Sequence, residues 1–154
     1  MLDVIEQKIE NAAMVLVGIG EEFASAKAGA DSCMSAYRKL EELIGDKDYF
    51  IVTLNTDDMI YETKLDKDRI VAPCGSEAAG NVVTNEDYDE SCYLPMWHKY
   101  NKWLEQTLNR KLCILELGVG FIYPAVIRFP FERVVFLNQK AEFIRVNGKF
   151  AQLT

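Results

Sequence analysis

Val15-Leu16-Val17-Gly18-Ile19-Gly20 and, a hundred residues later, Ile114-Leu115-Glu116-Leu117-Gly118-Val119-Gly120 share one design: an apolar run that breaks into Gly-x-Gly. A short apolar run closed by glycine reads as a buried strand followed by a tight turn. When such strands alternate with amphipathic segments, the pattern is that of a doubly wound α/β domain with a mostly parallel sheet. In that architecture the turns after the strands lie at the carboxyl edge of the sheet. Backbone there approaches phosphate or ribose closely. One incomplete Gly-x-Gly equally suits a turn with no ligand, and two copies on two strands favour the ligand.

The rest of the chain follows the same alternation. Met14-Val15-Leu16-Val17, ending at Gly18, is the first predicted strand, and Phe50-Ile51-Val52-Thr53 the second. Arg69-Ile70-Val71-Ala72, closed by Pro73, is a third; Leu112-Cys113-Ile114-Leu115 a fourth; Val134-Val135-Phe136-Leu137 a fifth. Phe143 to Val146 is read as an edge strand. A leading helix over 2–13 turns Ile5 and Ile9 inward. Met34, Tyr37, Leu40 and Ile44 recur at helical spacing, as do Trp97, Tyr100, Leu104 and Leu108 after Pro95. The acidic stretch from Glu77 to Pro95 has little periodicity and is expected to be a surface loop, over the ligand site.

Composition bounds the function. With 154 residues, 49% hydrophobic and 27% charged, the chain is expected to form one globular domain over 1–154. Its net charge of -7 argues against nucleic acid, which calls for a basic face. The acidic start Met1-Leu2-Asp3-Val4-Ile5-Glu6 lacks the basic region of a signal peptide, and glutamate, glycines and Pro124 interrupt the most apolar stretch. A cytoplasmic protein without a membrane partner is the expectation. Cysteines at 33, 74, 92 and 113 have no paired spacing, and the lone His98 adds little, so no metal is expected.

Thr53-Leu54-Asn55-Thr56-Asp57 directly follows the second strand. Such residues commonly form an Asx-turn or cap a helix. Their order along the chain adds a further reading. Gly18-x-Gly20, Thr53-x-Asn55-x-Asp57, Cys74-Gly75-Ser76, Gly118-x-Gly120 and Asn138 succeed one another in a sequence that resembles the sirtuin family. The segment from Glu116 to Phe121, with Pro124 and Ile127-Arg128-Phe129-Pro130-Phe131-Glu132, is similar to the divergent, short bacterial branch. The resemblance covers roughly residues 12–147.

It implies a Rossmann-like fold and NAD, or ADP-ribose, as ligand. By that likeness Gly18, Gly20 and Glu22 would lie by the phosphates, and Thr53, Asn55 and Asp57 around the nicotinamide ribose. Gly118, Val119 and Gly120 would pack near the adenosine, with Asn138 as its polar anchor. Catalytic duties would fall to Asn55, Asp57 and Cys74. The chain also departs from the family. Glu21-Glu22 replaces a small hydroxyl residue after the glycines, Cys74-Gly75 stands where the family has its His-Gly base, and the zinc-ribbon cysteines of the small domain are absent.

The departures favour a sirtuin-like domain that binds NAD or ADP-ribose without protein deacylase activity. One alternative is an NAD-consuming enzyme, either a glycohydrolase or a deacylase. The other is a regulatory or structural subunit with a vestigial site, Glu22 occupying the place of the phosphate. A protein partner or homo-oligomer stays open.

Overall fold

In the computed structural model, which describes residues 2–20, 30–55, 59–73, 94–118 and 127–146, the first Gly-x-Gly strand is the centre of a parallel sheet. The strands are β1 (Met14–Ile19), β2 (Asp48–Thr53), β3 (Ile70–Val71), β4 (Leu112–Leu117) and β5 (Glu142–Val146). They lie in the order β3-β2-β1-β4-β5, every neighbouring pair parallel. Helices α1 (Leu2–Asn11), α2 (Ala30–Ile44), α3 (Leu94–Gln106) and α4 (Arg128–Leu137) join them, with 3-10 turns at Met59–Glu62 and Lys67–Arg69.

Strands covered on both faces read as unbroken apolar runs, because neither side chain direction reaches water. All six residues of β1 are buried. Alternate residues feed two cores. Val15, Val17 and Ile19 join Ile5 and Ile9 of α1 and Tyr37, Leu40 and Ile44 of α2. Met14 and Leu16 join Tyr100 and Trp103 of α3 and Phe131 of α4. Helices therefore cover both faces, and the architecture is the Rossmann-like doubly wound one that the sequence pattern predicts.

Chain direction across the sheet reverses at β1. From there β2 and β3 build outward on one side, and β4 and β5 on the other. The gap between the carboxyl ends of β1 and β4 is thus the topological switch point, where ligands of such sheets bind.

Polar groups fix the amino edge of the sheet. Lys47 donates from Nζ to the carbonyls of Glu10 (3.0 Å) and Ala12 (2.7 Å), capping the negative end of α1. Asp48, opening β2, accepts from Trp103 Nε1 and Arg69 Nη1, each at 2.8 Å.

Three elements differ from the sequence expectation. Residues 134–137, read as a strand, are the last turn of α4. Ile127, Phe131, Val134 and Val135 pack inward at spacings of four, seven and eight, whereas Phe136 is 86% exposed. Helical periodicity outweighed the β propensity of four consecutive apolar residues. The outer strand is Glu142–Val146, the expected edge strand. β1 runs through Gly18 to Ile19 instead of stopping at the glycine. In α3 Tyr100 is buried as expected and Trp103 joins it, with Trp97 and Leu104 only partly covered and Leu108 beyond the helix. The expected loop over 77–95 lies almost entirely outside the described residues.

Candidate functional site

The two glycine turns come together as the repeated pattern requires. Ile19 of β1 pairs with Leu117 of β4 and with Thr53 of β2. Past the strand ends the ladder continues: Leu54 N donates to Ile19 O (2.8 Å), Gly20 N to Leu117 O (2.9 Å), and Gly118 N to Val146 O (2.8 Å). Four strands thus finish at one level, with Gly20 and Gly118 as adjacent exits at the switch point. Gly118 has φ 62°, the left-handed region where a side chain is penalised and glycine is not. Neither exit carries a side chain, so both turns offer main-chain atoms at this edge.

Beside them, β2 ends in a polar corner. Thr53 is fully buried, and its Oγ1 accepts the amide of Asn55 at 3.1 Å, a hydroxyl turn that swings the chain off the sheet. The turn sets the direction of Asn55. Its carboxamide Nδ2 is buried and has no hydrogen-bond partner among the described residues. Leaving such a donor unsatisfied costs about 1–3 kcal/mol, so the arrangement is suited to an acceptor brought in from outside.

A charged assembly borders the other side. Glu116, wholly buried in β4, stands beside Gly18 in the register and opposite Arg145 of β5. Arg145 Nε and Nη2 donate to the two Glu116 oxygens at 3.1 and 3.0 Å, and Nη2 also reaches Glu132 of α4 at 3.0 Å. Its guanidinium lies 4.9 Å from the Phe143 ring centre. Burial alone would lower the Arg145 pKa. Hydrogen bonds and charge from Glu116 and Glu132 outweigh that and raise it, so the group stays cationic. The bidentate pair links β4, β5 and α4 just below the strand ends. Sequence reading passed over it, although a glutamate inside an otherwise apolar strand was a visible signal.

The candidate residues divide by position. Gly20, Thr53, Asn55 and Gly118 share the carboxyl edge. Gly18 lies one step below, inside β1, and its vacant side-chain direction is filled by α4. A Cβ there would stand 2.6 Å from Ile127 Cγ2 and 2.7 Å from Phe131 Cε2. Its role in the fold is close helix–strand packing. Asn138 is at the opposite, amino edge. It follows α4 rather than a strand, and its Nδ2 donates to Thr107 O (2.9 Å) and Arg110 O (3.3 Å) while its Oδ1 accepts from Lys140 N (3.0 Å). It ties the end of α4 to the turn after α3. Glu22, Asp57, Cys74, Val119 and Gly120 lie outside the described residues.

Cys33 and Cys113 are buried free thiols, and His98 is exposed on α3. Among the described residues no three His, Cys, Asp or Glu side chains gather as a metal site. No helix among them is long and apolar enough to cross a membrane.

A comparison with protein-family models finds no match. Among curated proteins the chain is similar to one named protein ADP-ribosyltransferase, from Staphylococcus aureus (strain Mu50 / ATCC 700699). The two are 23% identical over 162 aligned positions, which cover 74% of this chain and 51% of that protein. The chain therefore spans about half the length of the relative it matches.

Proposed function

We propose that the chain binds NAD or ADP-ribose across the carboxyl ends of β2, β1 and β4. The observation that carries this reading is the buried, unpartnered Nδ2 of Asn55, held past the end of β2 on the same edge as the two glycine exits. A ribose hydroxyl or a nicotinamide carbonyl supplies the acceptor that this donor lacks. Gly20 and Gly118 leave room for main chain to approach a pyrophosphate. The name of the staphylococcal relative points to the same ligand class, since protein ADP-ribosylation draws on an ADP-ribosyl donor. When bound, NAD would supply an activated bond between ribose and nicotinamide. Asn55 would orient that ribose, and the buried Thr53 hydroxyl would hold Asn55 in place.

A second reading, an NAD-consuming enzyme, is favoured by the same relative, whose name is that of a transferase. Glycohydrolysis asks only for an oriented ribose and a water, and the Asn55 corner supplies orientation. Protein deacylation would further require a base in place of the family's histidine.

Thermal unfolding in the presence of NAD, ADP-ribose, nicotinamide or ATP tests the binding reading. A ligand at 100 times its dissociation constant adds about 2.7 kcal/mol. NAD or ADP-ribose should raise the midpoint of the natural chain and leave Asn55→Ala unmoved. The variant itself should fold normally, because the deleted Nδ2 has no hydrogen-bond partner to lose among the described residues. No shift with either nucleotide would remove the proposal.

A further inference from the structure

At the other edge of the sheet, where β4 and β5 begin, a cavity of about 550 Å³ opens between the end of α1 and the strand starts. Buried Leu112 and Cys113 lie at its floor, and Lys8, Lys111 and Lys140 stand around it with Asn11, Gln139 and Glu142. Lys8 is engaged by Glu142 at 3.0 Å. Lys111 and Lys140 form no ion pair among the described residues. The lining therefore holds a surplus of two positive charges, in a chain whose net charge is -7.

The backbones that carry the two uncommitted lysines are pinned. The carbonyl of Lys111 accepts from Ala13 N (2.8 Å) and Met14 N (3.2 Å), joining the starts of β1 and β4. The amide of Lys140 is held by Asn138 Oδ1 at 3.0 Å, and Ala141 N donates to Asn138 O at 3.1 Å. Asn138 thus fixes the turn that presents Lys140. Lys111 and Lys140 thus line one recess from anchored backbone positions.

We propose that this cavity is a second binding site, independent of the crevice at the carboxyl edge, and that it takes a small organic phosphate monoester. A phosphate monoester carries about -1.5 to -2 charges near neutral pH, which matches the surplus; a carboxylate would leave one lysine uncompensated. The carboxamides of Asn11 and Gln139 offer further donors to the phosphate oxygens. The floor at Leu112 accepts the organic part. The six residues of β4 separate this site from the switch point by roughly 17 Å, so one small ligand cannot span both.

The test is amide chemical-shift mapping on the isotopically labelled chain, titrated with phenyl phosphate, benzoate and inorganic sulfate at constant ionic strength. Phenyl phosphate should saturate, with shifts at Lys111 to Cys113 and Gln139 to Glu142. Benzoate should bind at least roughly tenfold more weakly, as should phenyl phosphate to Lys111→Ala/Lys140→Ala. Asn55→Ala should bind phenyl phosphate as the natural chain does. Both variants keep the apolar core, and unfolding without probe checks their folding. Shifts confined to Gly20 and Gly118 would assign the phosphate to the other edge and overturn the proposal. Equal responses to sulfate and phenyl phosphate would overturn it as well, as would binding unchanged in the lysine variant.

Discussion

Gly18 and Phe131 touch so closely that a single methyl group has no place between them: a Cβ at position 18 would lie 2.7 Å from the phenylalanine ring. The glycine lets α4 settle on β1 directly below the switch point. Replacing it by alanine forces both Ile127 and Phe131 to move, and overpacking of this kind costs about 1–3 kcal/mol. Gly18→Ala should lower the urea midpoint accordingly, and Gly18→Val should lower it further. Combined with Phe131→Leu, Gly18→Ala should cost less than the two changes summed, since they share one space. Strict additivity would show that the close contact is absent in solution.

Glu116 and Arg145 make a bidentate pair with side chains 0% and 10% exposed. Removing Arg145 takes the charge partner from a carboxylate held out of water, a loss of about 3–5 kcal/mol, whereas removing Glu116 leaves Arg145 its second partner, Glu132 at 3.0 Å. Arg145→Leu alone should therefore be strongly destabilising, and Glu116→Leu less so. The double leucine variant removes both charges and keeps the contacts apolar, so it should recover most of the loss. Denaturant unfolding of the three variants forms the cycle. Equal instability of single and double variants would mean that packing, and not charge, dominates there.

Much of this arrangement was open to sequence reading. β1, β2 and β4 are largely apolar runs because both their faces are covered, and the glycine exits of β1 and β4 mark the edge where they end. Asn55 was visible as a polar residue just past a strand. Its significance depended on Thr53, whose hydroxyl turns it, and on burial, which no local pattern reveals. The Val134 to Leu137 run misled because four apolar residues in a row suit a buried strand as well as an inward helix turn. The i, i+4, i+7, i+8 series from Ile127 holds the answer, but it begins three residues before Pro130, which resembles a break. A proline in the first turn is tolerated, because its missing N–H has no helical partner to lose. Asn138 was then assigned to the wrong edge, because misplacing the strand reversed the direction in which its end faced.

Cys113 makes stability depend on alkaline pH. Burial chiefly, with the Glu142 charge adding and Lys8 opposing, raises its thiol from 9.0 to about 11. The folded state thus holds the proton more tightly than the unfolded chain does. The resulting stabilisation is fully present below pH 9 and is lost as pH rises toward about 11. Urea midpoints should fall across that window in the natural chain, and less steeply in Cys113→Ala. Identical slopes would mean the thiol titrates normally. In the same buried setting, Cys113 should resist alkylation at pH 8 until the protein unfolds.

The last expectation concerns chemistry at the carboxyl edge. The resemblance to sirtuins would set Cys74-Gly75 where that family has a histidine base. General-base catalysis contributes on the order of 100- to 10,000-fold, and a thiol near neutral pH is largely protonated. His98 is exposed on α3 and would not stand in for such a base. A deacylase would also need walls around an acyl-lysine, and the cysteines that build the family's zinc-bearing module are absent from the sequence. Incubation with NAD and an acetylated peptide should therefore give no peptide-dependent release of nicotinamide. Release without peptide is compatible with the Asn55 corner, because water needs no channel and an oriented ribose is enough. If such release occurs and disappears in Asn55→Ala, the chain consumes NAD as a hydrolase. Release that requires the peptide and vanishes in Asn55→Ala would instead establish an active deacylase and refute the binding-only reading. No release from either mixture, together with nucleotide-dependent stabilisation that needs Asn55, is the outcome expected of a domain that holds the nucleotide intact.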